Sequence, residues 1–381
     1  MSKRSFRTAL AVVIGSIVII GGLAAWFVHR ALSYPDERHD GKGSDVEVEI
    51  KTGMSFPSVA AVLSDKGVIE KPTWFRLYAM WEGKTTGVKP GKYLIADNKT
   101  PSEVLEILTK GVKEATTKVT LPEGKSMLEF FAIIAEAKVA PAKELEALAR
   151  DKEFLGRYAI PGDSVEGYLF PDTYQFRIGE KPAIVLERLI TRHREVWNEL
   201  VTKHPRDTAK IKDKMGWSDK DIVTMASIVE KEAVEASERP RIAQVFINRL
   251  SSPSFKPKKL QTDPTIRYGC MVPAQKSVAC IAWNEPCLKA NPPKPMGCDR
   301  LHRAQLDDMD NPYNTYAHEG LPPGPIANPG KASIEATLSP DGSDYYFFVA
   351  SSKGSRSHAF AKSAAEHERN VQKYVDTLDH D

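Results

Sequence analysis

Hydrophobic and polar positions recur with several periods along the chain, and each period predicts an element. Residues 8–28 (TALAVVIGSIVIIGGLAAWFV) carry no charge. A helix needs roughly 20 apolar residues to cross a bilayer core, so this run predicts one transmembrane span. Val46, Val48 and Ile50 then alternate with polar residues, which is a strand signature. Gly53 ends that strand, and residues 55–67 read as a short helix with Pro57 in its first turn. A second helical stretch covers residues 74–81, and GKYLI at 91–95 reads as a strand. Thr100 and Glu103 form a T-x-x-E box that opens a helix through Leu105, Ile107 and Leu108. Residues 45–115 therefore form a small β-α-α-β-α unit.

The same texture continues more weakly. KVTLPEGKSMLEFF gives a strand, Gly124, and a second box at Ser126 and Glu129. Gly53 and Ser55 match Gly124 and Ser126 at one offset, which fits an internal repeat or two independent β-turn-α units. A long helix follows at 183–203. Ser218 and Asp221 then cap a helix on which Ile222, Met225, Val229 and Ala233 recur at helical spacing. RIAQVFINRL reads as the next helix, SDYYFFVA as a buried-type strand, and residues 362–378 as a final helix. The fold class expected is α+β. A leader and anchor occupy 1–32, a linker 33–44, the small unit 45–115 and a mixed α+β domain 116–381.

Charge refines this picture at the N-terminus. The leader holds Lys3, Arg4 and Arg7 and no acid. Basic leaders stay in the cytoplasm, so the rest of the chain is expected to face outward. A cleaved signal has a shorter apolar core, about 7–15 residues, and a small-residue cleavage site. Here the run ends in Trp26, Phe27, His29 and Arg30, which predicts an uncleaved anchor with Trp26 in the interfacial belt. Over 381 residues the net charge is +3, with charges interspersed. That distribution gives no basic face for nucleic acid.

The four cysteines, Cys270, Cys280, Cys287 and Cys298, lie in one segment without a CxxC or a zinc-type His pairing. Outside the cytoplasm such thiols pair, so two local disulfides are expected, with the pairing open. No metal or cofactor site is expected: G-x-S-x-G, S-x-x-K, H-E-x-x-H and a Gly-rich phosphate loop are all missing.

The candidate chemistry centres on MASIVEKEA. Glu230 closes an apolar run, with Ala226, Ile228, Val229 and Ala233 around it. Lost hydration would raise such a carboxyl's pKa, as a general acid near neutral pH requires. Glu232 stands about 200° round the helix and cannot act with it; with Glu235 and Glu238 it reads as part of a solvated face. Glu166, beside Gly167, could support a site or bond a loop. Tyr168, Phe170, Tyr174, Tyr313 and Tyr316 offer rings for sugar faces, and Asn248, Gln261, Asp263, Asn314 and Thr315 offer polar groups for hydroxyls.

EGYLFPDTY, MASIVEKEA, VFINRL, LQTDPT, NPYNTY and GLPPGPIANPG occur here in one order. In that order they resemble the motifs of the endolytic murein (lytic) transglycosylases of the YceG-like family. The resemblance covers roughly residues 45–380 and the single anchor. It implies that 45–115 is a LysM-like peptidoglycan-binding module, that 116–381 is the catalytic domain, and that Glu230 is the catalyst. It also implies Tyr168, Asn248, Gln261, Asp263, Asn314 and Tyr316 as substrate-binding candidates. This chain departs from the family's pattern in a Cys-rich insertion at about 270–300.

What the resemblance implies is non-hydrolytic cleavage of the β-1,4 bond between N-acetylmuramic acid and N-acetylglucosamine. One glutamate acts as acid and then as base, leaving 1,6-anhydro ends. It further implies nascent glycan strands as substrate, the bacterial inner membrane as location and peptidoglycan synthases as partners. Two other readings stay open: a catalytically silent wall-binding scaffold, and a hydrolase with Asp263 as second carboxylate.

Overall fold

The computed structural model describes residues 3–112, 115–289 and 300–378. These residues divide into two compact units, 1–114 and 115–381. The first opens with helix α1 (Lys3–Ser33). One stretch, Val13–Asp36, is long and apolar enough to cross a membrane, with mean hydropathy 1.7.

Strand β1 (Asp45–Ile50) pairs antiparallel with β2 (Gly91–Ala96), Val48 opposite Tyr93. Val48, Ile50, Tyr93 and Ile95 point inward onto helices α2 (Phe56–Asp65), α3 (Pro72–Trp81) and α4 (Pro101–Lys110). Period-2 alternation thus becomes one dry and one wet sheet face. The capping box expected at Thr100 and Glu103 is present. The element order is β-α-α-β-α, as the sequence predicts. The segment expected to be a linker is fastened instead. Tyr34 is buried and donates to the Lys71 carbonyl at 3.1 Å. Glu37 pairs with both Arg30 and Lys71. Farther on, the Gly43 and Ser44 amides donate to Asp97 Oδ1.

In the second unit β3 (Thr116–Thr120) pairs antiparallel with β4 (Thr173–Arg177). Between them lie α5 (Met127–Glu136), α6 (Ala142–Ala149) and α7 (Lys152–Arg157). Helices α8 (Pro182–Lys203) and α9 (Pro205–Met215) lead into α10 (Asp219–Glu232). Next come α11 (Arg239–Ser251), α12 (Asp263–Met271), α13 (Val278–Leu288), α14 (Arg303–Leu306) and α15 (Lys331–Leu338). A hairpin of β5 (Phe347–Ala350) and β6 (His358–Ala361) and helix α16 (Ala364–Asp376) complete the chain. Among the described residues the sheets are all two-stranded, and the class is mixed α+β.

The centre of this unit is α10. Every residue from Ile222 to Val229 is buried, because α10 packs against α11, α12 and α15. A helix apolar on all sides must be enclosed on all sides. Its start is fixed by the predicted box: Ser218 accepts from the Asp221 amide, and Asp221 Oδ2 accepts from the Ser218 amide at 2.8 Å. Gly167 shows how tightly the neighbouring loop is packed. Its φ is +86°, and a Cβ there would lie 2.5 Å from Pro325.

Ser218→Ala removes one half of the cap at the end of α10 remote from its glutamates. It should cost about 1 kcal/mol, read as a lower denaturant midpoint with an unchanged slope.

Candidate active site

The last turn of α10 carries Glu230 and Glu232. Two residues of helix separate them by about 3 Å along the axis and 200° around it. The structure sends each carboxyl into a different environment.

Glu230 reaches the start of α15. Its side chain is 6% exposed. Oε2 accepts from the Gly330 amide at 3.1 Å and from Ser333 Oγ at 2.7 Å. Oε1 accepts from Arg239 Nη2 at 3.4 Å, and Arg239 Nε also donates to Ser333 Oγ. The dry apolar pocket expected here is therefore not what surrounds this group. The apolar neighbours fill other faces of α10, while the carboxylate caps a helix N-terminus, where negative charge is favoured. Glu123, from the turn after β3, lies against the same spot. A Cβ on Gly330 would sit 2.0 Å from Glu123 Oε1. Burial pushes the Glu123 carboxyl up; the Glu230 charge adds to this and Arg239 opposes it.

Glu232 turns toward the start of α12. Burial pushes its carboxyl above the usual range; the nearby Thr262 hydroxyl works against this, and the Asp263 charge adds to it. His358 and Arg249 pull the other way. Glu232 is half-buried, so the solvated face expected for it is corrected in part: the end of α10 lies beside α12, with the Arg249 charge acting on the carboxyl. Asp263 Oδ1 accepts from the Tyr316 hydroxyl at 2.9 Å. Burial and then Asp263 raise the Tyr316 phenol. Arg249 is buried too, donating to the Tyr346 carbonyl at 2.7 Å and to the Leu260 carbonyl. Its guanidinium lies over Phe246, Phe255 and Phe347, and burial lowers its pKa to about 10.

Of the expected substrate-binding residues, Asp263 and Tyr316 meet at Glu232, and Gln261 leads into the same turn. Gln261 is exposed, with its amide on the Thr315 carbonyl at 3.2 Å and φ at +55°. That left-handed backbone is unusual for a side chain of this size. The others lie elsewhere. Asn314 is buried and donates to the carbonyls of Gln305, Leu306 and Asp308, while its oxygen accepts from the Tyr316 amide. It shapes the loop that delivers Tyr316. Asn248 donates to the Ser343 and Tyr345 carbonyls. Tyr168 lines a separate hollow of about 370 Å³ against the His193 ring, 5.2 Å away.

Glu166 bonds a loop. It accepts from the Met127 amide and from Asn328 Nδ2 at 3.0 Å, and burial pushes it up to about 8. Glu238 grips His358 through Oε2 and Nδ1 at 2.6 Å. Sequence reading missed Glu123, Glu232, Thr262, Arg239, Arg249 and Ser333. The legible signal was the second acid of the E-K-E run.

Cys270 and Cys280 are disulfide-bonded, joining the end of α12 to α13. Cys287 is also in a disulfide, and Cys298 lies outside the described residues. The insertion thus starts at one end of the helix whose other end holds Asp263. Among the described residues no cluster of His, Cys, Asp and Glu could hold a metal ion.

The profile of the YceG-like family matches residues 48–373. A Bacillus subtilis (strain 168) protein named endolytic murein transglycosylase is 32% identical over 372 residues, covering 94% of this chain and 91% of that protein. A Streptococcus pneumoniae (strain D39) protein of the same name is 25% identical, covering 87% of this chain and 59% of that protein. The crystal structure of a YceG-like protein from Listeria monocytogenes aligns with TM-score 0.51 and 27% identity, over 86% of this chain and 99% of that one. This chain belongs to the YceG-like family.

Proposed function

We propose that the chain is an endolytic murein transglycosylase whose acid is Glu232, two residues beyond the Glu230 expected from the sequence. Family membership and the names of its relatives support the activity. One observation carries the choice of acid. Glu232 has its carboxyl raised by burial and lies beside Asp263, itself bonded to Tyr316, whereas Glu230 is engaged by the Gly330 amide, Ser333 Oγ and Arg239. A general acid must keep its proton near the working pH, and burial beside a like charge achieves that.

The reaction then needs one carboxyl at the scissile bond. Protonated Glu232 gives its proton to the glycosidic oxygen as the C1–O bond breaks. The 2-acetamido carbonyl of the muramic ring stabilises the cationic C1. Ionised Glu232 takes the proton from the C6 hydroxyl as that oxygen bonds C1, and the product ends in 1,6-anhydro-muramic acid. Tyr316 holds Asp263 through its hydroxyl, and the Asp263 charge adds to the upward push of burial on Glu232, with Gln261 lining the site beside it. Residues 45–115 serve as a LysM-like glycan-binding module. Helix α1 anchors the enzyme in the inner membrane, its leader in the cytoplasm, where emerging strands and peptidoglycan synthases meet it.

Glu232→Gln should lower strand cleavage by about 10²–10⁴-fold with folding intact. Glu230→Gln should cost about 1–3 kcal/mol of stability and keep the activity. Product mass spectrometry on uncrosslinked glycan strands reads both. Activity lost only in a folded Glu230→Gln protein would return the acid to Glu230, and reducing ends in place of anhydro ends would make the enzyme a hydrolase. Cleavage unchanged in both variants would leave a scaffold.

The pH profile supplies a second check. Activity needs protonated Glu232, so it should fall as pH rises through that raised pKa. Asp263→Asn removes a charge that raises it. The alkaline limb should therefore move to lower pH, whatever happens to the maximal rate.

A further inference from the structure

Helix α3 has two unlike faces. Phe75 and Ala79 are fully buried in the core of the first unit. The opposite face carries Leu77, Met80 and Trp81, which are 44%, 63% and 66% exposed. These positions fall at helical spacing, so they form one apolar stripe. Scattered exposed apolar residues are ordinary on a soluble surface; a contiguous stripe marks a contact.

The position of that stripe identifies what it contacts. Trp74, at the start of α3, half-buried and bordering the stripe, lies 5.1 Å ring to ring from Phe27 of α1. Phe27 belongs to the last turn of the apolar run. Tyr34 lies 6.3 Å from the same indole, with its hydroxyl on the Lys71 carbonyl. Glu37 ties Arg30 to Lys71 at 2.7 and 3.0 Å. The end of α1 is therefore fastened to the start of α3 by an aromatic contact, a hydrogen bond and two ion pairs. If the run before His29 fills hydrocarbon, Phe27 lies at its edge and Arg30 among headgroups. Trp74 then stands at the level of Phe27, and the stripe beside it meets the same boundary. Trp and Met side chains flanked by Arg76 suit that layer, where apolar bodies sink and polar ends stay wet.

We propose that the outer face of α3 is a membrane-contact surface, with Leu77, Met80 and Trp81 in the headgroup–acyl boundary of the bilayer that α1 crosses. The first unit is thereby held at fixed height on the lipid and does not swing on a tether. The proposal rests on the reading of α1 as a membrane span, and the test separates the two.

The full chain, reconstituted in phosphatidylcholine–phosphatidylglycerol nanodiscs without reductant, would carry a nitroxide at a single introduced cysteine. Leu77→Cys and Trp81→Cys probe the stripe, Ile20→Cys the anchor, and Lys92→Cys, on the charged face of β2, the aqueous reference. Collision with oxygen and with a water-soluble nickel chelate is read at each. Oxygen-to-nickel ratios at 77 and 81 several-fold above that at 92 are expected. A ratio at 77 and 81 equal to that at 92, with position 20 lipid-exposed, would overturn the surface and leave the anchor standing. Protection from both reagents at 77 and 81 would mean that protein, such as a second copy, covers α3, and would also overturn it. Nickel access at position 20 would remove the anchor and the proposal together.

Discussion

The second unit depends on one constraint: α10 is buried from Ile222 to Val229 and the Glu230 side chain is 6% exposed, so the polar groups there must find partners inside the fold. Ser227 meets that requirement by accepting the Ile326 amide at 2.9 Å and donating to the Thr224 carbonyl. Glu230 meets it through Gly330, Ser333 and Arg239. The rigid GPIANPG segment is thereby bonded to α10 at two places before it becomes α15. Buried polar groups without such partners cost free energy that packing cannot recover locally. α10, the Pro/Gly-rich segment and α15 thus supply one another's missing donors and acceptors.

The same geometry gives two carboxyls two residues apart different surroundings. Helical period alone keeps them on opposite faces. On one face a backbone amide, a hydroxyl and a guanidinium hold the Glu230 carboxyl. On the other, burial and Asp263 favour the neutral form. Glu123 adds a third carboxyl on the first face. Its oxygen occupies the space that a Cβ on Gly330 would take.

Much of this was legible before any coordinates. The boxes at Thr100, Ser126 and Ser218 marked three helix starts correctly, because a cap is a local interaction between residues three apart. The alternation in β1 reported its dry face for a similar reason. Strand β4 was hidden because its partner lies 53 residues earlier, as in the Thr120–Thr173 pair. Helix α9 has only Thr208 and Ile211 buried and so shows little apolar period. The site was legible as a motif and illegible as an environment. IVEKE located both glutamates, but sequence neighbours on α10 said nothing about α12 and α15, which decide how each carboxyl is solvated. Asn248 and Asn314 look like sugar-binding amides in sequence; backbone carbonyls claim them in the fold.

The insertion can be weighed by the same reasoning. Cys270 and Cys280 close the α12–α13 corner, and Asn284 reinforces it by donating to the Cys270 carbonyl at 2.5 Å. Ile266, Trp283 and Leu301 pack around that staple. From there α12 runs back to Asp263, and the loop ordered by Asn314 brings Tyr316 to meet it. A cross-link at one end of a nine-residue helix limits its tilt, and with it the position of the carboxylate at the other end. The cysteines lie away from the chemistry, yet they hold the element that sets the charge beside Glu232. On the proposed assignment of Glu232, the Cys-rich insertion steadies the site from one end of α12.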